Sequence, residues 1–234
     1  MNHSKTFSRI IILSFLAIFL TSSLSGQRNI FEKRYFHKSE FKTKVKNLRK
    51  RFSKNKVIPK KVELAALVAL SHYPELSKEK IIFKFEKIST TMKAQPKWNF
   101  IFKKKENRQY IVYLNSKTDK STGLALEDLS FNALVGWIGH ELGHLVDFTQ
   151  KSNWKVIKTG SYYFSKKKKA NYERSIDLIT INHGLGYALY EGMQFVYENE
   201  NMSDDYRENL MDNYLSLQEI ISNIEKYETL QGTL

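Results

Sequence analysis

The stretch that most constrains how this chain can fold is the run FNALVGWIGHELGHLVDF, residues 131–148. Its apolar residues recur at helical spacing, which predicts a helix with a buried face. Ser130 precedes the run and is a suitable N-cap. His140 and His144 are four positions apart, so they lie one turn above each other on the same face. Both imidazoles can therefore reach a single metal ion.

Glu141, the residue after the first histidine, can act as a base beside a metal ion. Glu141 lies about 100° around the helix from His140, where its carboxylate can take a proton from a water molecule on zinc. Gly136, Gly139 and Gly143 each cost a helix about 1 kcal/mol relative to alanine, so we expect a close neighbour at these positions. The competing interpretation is a core helix with two incidental histidines. We prefer zinc because its chemistry accounts for all three specified positions.

Composition narrows the kinds of site and partner. The 234 residues include no cysteine, which excludes disulfides, thiolate zinc sites and cysteine nucleophiles. Any metal must therefore be bound by histidines and carboxylates. The net charge of +14 makes a basic face certain. This lysine-rich face is either an ordinary solvated surface or a contact for an anionic envelope surface or polymer, and we expect no specific nucleic-acid partner.

The first 26 residues predict a secretory signal peptide. Lys5 and Arg9 precede the apolar run 10–20, and the small, polar segment 21–26 follows it. Cleavage after Ser25 or Gly26 would release an exported protein, periplasmic or secreted. The alternative is an uncleaved membrane anchor, although a membrane span needs about 20 apolar residues.

Residues 27–234 predict a single α+β domain that is mostly helical, with 27–75 as its basic helical N-terminal part. Three short runs rich in aromatic and β-branched residues predict strands at 81–85, 98–102 and 110–114. These strands would form a small sheet packed against the histidine helix. The candidate edge strand for binding an extended peptide is 110–115.

A catalytic zinc ion needs a third protein ligand. Residues 151–169 predict a long loop, rich in lysine and aromatic residues, that returns the chain across the metal. In the helical stretch that follows, Glu173 and Asp177 are four positions apart and share a face. Glu173 can complete the metal site, and Asp177 can accept the spare ring N–H of a ligating histidine. The competing interpretation is an exposed acidic pair.

Other polar residues are alternative candidates. Asp147 lies on the histidine face and could ligate the metal or hydrogen-bond a ligating histidine, or it could cap the helix or pair with a lysine, which we favour. His183, just before Gly184, could be a transition-state donor or a cation at a helix C-terminus. Tyr187 and Tyr190 are further oxyanion-donor candidates, although aromatic residues at this spacing are more often core.

The H-E-x-G-H motif with a downstream Glu-x-x-x-Asp helix resembles the gluzincin type of zinc metallopeptidase over roughly residues 110–197. The resemblance implies a zincin-like α+β fold and hydrolysis of peptide bonds. It implies zinc ligation by His140, His144 and Glu173, a general base at Glu141 and an orienting role for Asp177. The metzincin pattern does not fit, because a third histidine and its glycine do not follow His144.

The sequence therefore predicts an exported zinc metallopeptidase that acts on peptide or protein substrates. The alternative is a non-catalytic basic envelope protein whose zinc site is structural or vestigial and whose lysines bind anionic polymers or lipids. The intact Glu141 disfavours this alternative, since a structural site does not need that carboxylate. The same zinc site would also serve an amidase acting on a non-peptide bond.

Overall fold

A computed structural model describes residues 35–116, 126–200 and 202–232, and the chain from Phe36 to Leu234 forms one compact unit. The predicted signal peptide, 1–26, lies outside the described residues. The helices are α1 Lys38–Lys42, α2 Val45–Phe52, α3 Glu63–Ser71, α4 Phe131–Gln150, α5 Asn153–Gly160, α6 Lys166–Thr180, α7 Gly186–Glu198, α8 Asp204–Asn213 and α9 Leu217–Leu230. The strands are β1 Lys56–Val57, β2 Lys80–Glu86, β3 Met92–Pro96 and β4 Gln109–Asn115.

The strands form one mixed sheet in the order β1-β2-β4-β3. β2 pairs in parallel with both β1 and β4, whereas β3 runs antiparallel to β4. Ile81 and Phe83 of β2 and Val112 of β4 are buried in the core on one face of the sheet. Helices and a small mixed sheet together give the predicted α+β class, with helix predominating.

The sheet differs from the prediction at its edge. Residues 110–115 lie in β4, which is central because it pairs on both sides, so they are not an edge strand. Residues 98–102 form a 3-10 helix instead of a strand. The edge on this side is β3, whose sequence MKAQP lacks β-branched residues and ends in proline, a residue that sheets tolerate at an edge.

Helix α4 is the element around which the others pack. Its first turn is capped by Ser130, whose Oγ accepts a hydrogen bond from the Ala133 N–H at 3.0 Å. It contacts α3, α6 and α7 and also β3. A Cβ at Gly136 would overlap the Ala188 carbonyl group of α7, and one at Gly143 would meet the Ile176 side chain of α6 at 3.0 Å. The glycines therefore allow α6 and α7 to approach α4 closely. This close approach is what we expected from glycines that a helix keeps despite their cost in helix stability.

The connection between α4 and α6 differs from the prediction. Residues 151–169 are mostly ordered as α5 and a 3-10 helix, Ser161–Phe164, and the run of lysines begins α6. The C-terminal helices α8 and α9 are separated by a break around Tyr214. Among the described residues, no helix is both long and apolar enough to cross a membrane.

Candidate metal centre

Three buried side chains from two helices converge beside the sheet. His140 and His144 come from α4, and Glu173 comes from α6. One potential ligand atom from each lies within 4.8 Å of the others. The Nε2 atoms of His140 and His144 are 3.3 Å and 3.2 Å from the same oxygen, Oε2 of Glu173. This group could hold a metal ion, and within the described ranges no other group of three such residues does.

The groups around the two histidines fix which ring nitrogen faces the centre. The Nδ1–H of His140 donates to Oδ1 of Asp177 at 2.9 Å, which leaves Nε2 free to bind a metal. The other oxygen of Asp177 accepts a hydrogen bond from the Leu215 N–H at 2.9 Å, so the carboxylate is itself held in place. His140, Asp177 and Leu215 form a chain of contacts from the centre to the α8–α9 connection.

His144 is oriented by a second chain of contacts. Its Nδ1 lies 3.3 Å from the hydroxyl of Tyr172, and that hydroxyl donates to Oδ2 of Asp147 at 2.9 Å. Asp147 also accepts from the Lys151 ammonium at 2.6 Å. Asp147 therefore pairs with a lysine and does not face the centre as a ligand, as we favoured from the sequence.

The charges at the centre match a site for a cation. Burial lowers the pKa of His140, but the carboxylates of Asp177 and Glu173 outweigh it and raise that pKa to about 10. Burial raises the pKa of Glu173, but the two imidazoles hold it well below its usual range. The carboxylates therefore remain ionised and attract positive charge, which a divalent metal would supply in place of the ring protons.

Glu141 is set apart from the three converging groups. It is buried, and its Oε2 has no hydrogen-bond partner among the described residues. Burial raises the pKa of this carboxyl, against the opposing charges of His144 and His140. An unpartnered buried carboxylate oxygen is costly unless something else uses it. Two imidazoles, one carboxylate and this free oxygen fit a three-ligand metal site with space for a water molecule.

Glu141, His144 and Glu173 line an open cleft of about 940 Å³. One part of its lining is β3 with the residues before it, and another is α5 with its following 3-10 helix. Because the Lys97 N–H donates to Gln109 and the Asn115 N–H donates to Thr91, alternate residues of β3 face β4. Met92 and Ala94 therefore direct their backbone groups toward the free edge.

Tyrosines that the sequence did not single out complete the centre. Tyr163 donates its O–H to Oε1 of Glu173 at 2.6 Å. The Tyr214 ring lies 5.3 Å from the His140 ring, and Tyr214 lines the cleft. Tyr172 adjoins Glu173 in sequence, which is a signal that could have found it. Tyr163 lies in the segment predicted to be a loop, and Tyr214 lies 70 residues beyond His144, so spacing gave no signal for either.

His183 does not belong to this centre, which corrects the prediction of a transition-state donor there. Its Nδ1–H donates to the Ile179 carbonyl at 2.7 Å, and its Nε2 lies 2.7 Å from the Glu75 carboxylate. Its ring stacks on Tyr73 at 4.3 Å. Residue 183 is absent from the lining of the cleft, so its role is to join α6 to the end of α3. Likewise Tyr187 and Tyr190 pack against the core.

No protein-family model, curated protein or solved structure matches this chain. What the centre can do follows from its own geometry and chemistry.

Proposed function

We propose that the protein is an exported zinc metallopeptidase. The observation that carries the proposal is the pairing of a buried His140–His144–Glu173 group with the unpartnered Oε2 of Glu141 on the same cleft. Ligands of two imidazoles and one carboxylate suit zinc. A structural zinc site would be closed by a fourth protein ligand, and among the described residues no fourth histidine, cysteine or carboxylate joins the group.

The chemistry that zinc supplies in such a site is Lewis acidity, which polarises a carbonyl group and lowers the pKa of water to about 7. Glu141 takes the proton from the attacking water and passes it to the leaving amine. Its burial suits the first of these steps, because a carboxylate with a raised pKa is a stronger base than an exposed one. Tyr163 and Asp177 hold Glu173 and His140 in place.

The substrate proposed is an extended peptide lying along β3. An edge strand offers backbone N–H and C=O groups that pair with an added strand. Ala94, in the middle of β3, directs these groups to the free edge, where its backbone N–H hydrogen-bonds the Glu141 carboxylate and lowers the pKa of that carboxyl. A peptide paired with β3 would therefore pass its backbone beside the proposed base.

The first test replaces the proposed base while sparing the ligands. The Glu141→Gln protein should retain the wild-type zinc content, about one ion per chain, and lose about 10²–10⁴-fold in the rate of peptide cleavage. Metal analysis and a peptide library measure the two properties separately. The matched control is Glu225→Gln on the exposed face of α9, which should change neither.

Glu173→Ala should lose most of the zinc and the activity together. Wild-type cleavage by Glu141→Gln would refute the assigned base. A wild-type protein that binds no zinc after reconstitution would refute the proposal and favour the non-catalytic basic envelope protein.

A further inference from the structure

Four large aromatic side chains lie in solvent on segments that border the cleft. Trp98 is 74% exposed, Phe102 80%, Trp154 74% and Phe164 94%. We call these four residues the aromatic rim. Trp98 lines the cleft, as does Tyr163, the neighbour of Phe164. Burying one such side chain is worth about 1.5–3 kcal/mol, so exposing four of them on segments that border one cleft indicates a surface that is covered in use.

The aromatic rim is built on a fixed frame. Arg108 is almost fully buried and donates to the carbonyls of Phe148 and Lys151 and to Oδ1 of Asn153. Asn153 in turn donates from Nδ2 to the Lys103 carbonyl at 3.0 Å. These contacts tie the 3-10 helix of Trp98 and Phe102 to the first turn of α5, which carries Trp154. The exposed side chains thus project from hydrogen-bonded backbone.

Positive charge surrounds the aromatic rim. Residues 97–105 and 151–172, which contain the whole rim, include four and seven lysines respectively and no aspartate or glutamate. Tryptophan is favoured at the boundary between the head groups and acyl chains of a bilayer. Each lysine near an anionic membrane surface contributes about 1 kcal/mol of attraction.

We propose that the aromatic rim docks the protein on a bilayer that contains anionic phospholipids. The aromatic side chains enter the head-group boundary, and the lysines contact lipid phosphates. This orientation turns the opening of the cleft toward the membrane. If the peptidase function also holds, its substrates are peptide segments close to the bilayer surface; this extension rests on the proposed function, whereas docking itself does not.

Other occupants fit the same surface less well. A second copy of the chain would bring two lysine-rich faces together, and like charges at an interface are unfavourable. The buried core of a protein interface is depleted of lysine. Single-stranded nucleic acid also uses aromatic residues and lysines, but it needs a positively charged groove. Here the cleft beside the aromatic rim is lined by Glu141 and Glu173 as well as by three lysines, so it is not uniformly positive.

Tryptophan emission tests the proposal in the full chain. The three tryptophans are Trp98, Trp137 and Trp154, and Trp137 is buried at 5% exposure. Vesicles of phosphatidylcholine and phosphatidylglycerol with brominated acyl chains should quench Trp98 and Trp154 and leave Trp137 emitting. The variants Trp98→Phe and Trp154→Phe assign the quenched emission. The N-terminal apolar run contains no tryptophan, so its insertion alone would leave the emission unquenched.

The test variant removes aromatic surface and keeps both reporters. Phe102→Ser with Phe164→Ser should raise the lipid concentration needed for half-maximal quenching by about tenfold or more. Met211→Ser with Leu230→Ser is the matched control, because Met211 and Leu230 are 58% and 75% exposed and lie outside the rim segments. Circular dichroism confirms that each variant is folded. Glu141→Gln should dock as the wild type does, which separates docking from hydrolysis.

Three results would overturn the proposal. The first is an absence of Trp98 and Trp154 quenching. The second is quenching that the Phe102 and Phe164 substitutions leave unchanged, which would assign binding to charge alone. The third is tighter binding to single-stranded oligonucleotide than to anionic vesicles, with the same two phenylalanines required.

Discussion

Glu173 has a defined contact at each of its oxygens. Oε2 faces the two histidine Nε2 atoms, and Oε1 accepts the Tyr163 hydroxyl. A carboxylate held in this way offers one oxygen to a metal and keeps the other engaged. Partners of this kind commonly change metal affinity by 10–100-fold when they are removed.

Tyr163→Phe should therefore weaken zinc binding by about 10–100-fold without unfolding the protein. The reason is that Oε1 of Glu173 loses its donor while Oε2 and both histidines remain. Competition with a chromophoric chelator measures the affinity. Tyr162→Phe is the matched control, since it removes the adjacent hydroxyl and leaves the Tyr163–Glu173 contact intact. Equal zinc affinities for the two variants would show that the Tyr163 hydroxyl does not position Glu173.

At the scale of elements, helix α4 can carry the centre only because its neighbours approach very closely. Gly136 lies against the Ala188 carbonyl of α7, and Gly143 lies against Ile176 of α6, the helix that supplies Glu173. The glycines cost intrinsic helix stability, and the packing against α6 and α7 offsets that cost.

Gly136→Ala should destabilise the fold by about 1–3 kcal/mol, even though alanine is the better helix former, because the added methyl overlaps the α7 backbone. Urea unfolding measures the change. Gly160→Ala is the contrasting control, because a Cβ there meets nothing within 4 Å. It should be neutral or stabilising by up to about 1 kcal/mol. Wild-type stability of Gly136→Ala would mean that α4 and α7 can separate without cost.

The elements also show where sequence reasoning succeeds. Helix α4 and the Glu173–Asp177 spacing are local patterns, and each can be predicted from residues within one or two turns. The strand β3 cannot, because MKAQP has little strand preference of its own and is ordered by pairing with β4. Tyr214 reaches the cleft because it lies in the break between α8 and α9. The sequence does not reveal this break, because the apolar residues on both sides of Tyr214 recur at helical spacing.

At the scale of the whole molecule, the centre links stability to pH. His140 has a folded-state pKa of about 10, above the value of about 6.5 that an unfolded chain gives it. Its protonated form is favoured by folding, so this stabilisation is fully present below about pH 6.5. It is lost as the pH rises through about 10. Glu173, whose pKa is lowered, stabilises the fold above its unfolded value of about 4.3 and loses this effect in acid.

The metal-free protein should therefore lose unfolding free energy as the pH rises from about 6.5 to about 10, and zinc should reverse the trend by replacing the proton on His140. Urea midpoints in a chelating buffer and with excess zinc, taken across this range, measure both curves. Asp177→Asn should flatten the metal-free curve, because the Asp177 carboxylate is the leading cause that raises the His140 pKa. If the unfolding free energy of the metal-free protein rose over this pH interval, the protonation of His140 in the folded state would be contradicted.

The bond from the Leu215 N–H to Asp177 also affects biosynthesis. A ribosome makes about 5–20 residues per second, and 71 residues separate His144 from Leu215. The two histidines therefore leave the ribosome about 4–14 seconds before the group that steadies Asp177. Over that interval Asp177 lacks its contact with Leu215, so the hydrogen bonds that orient His140 are completed only late in the life of the nascent chain.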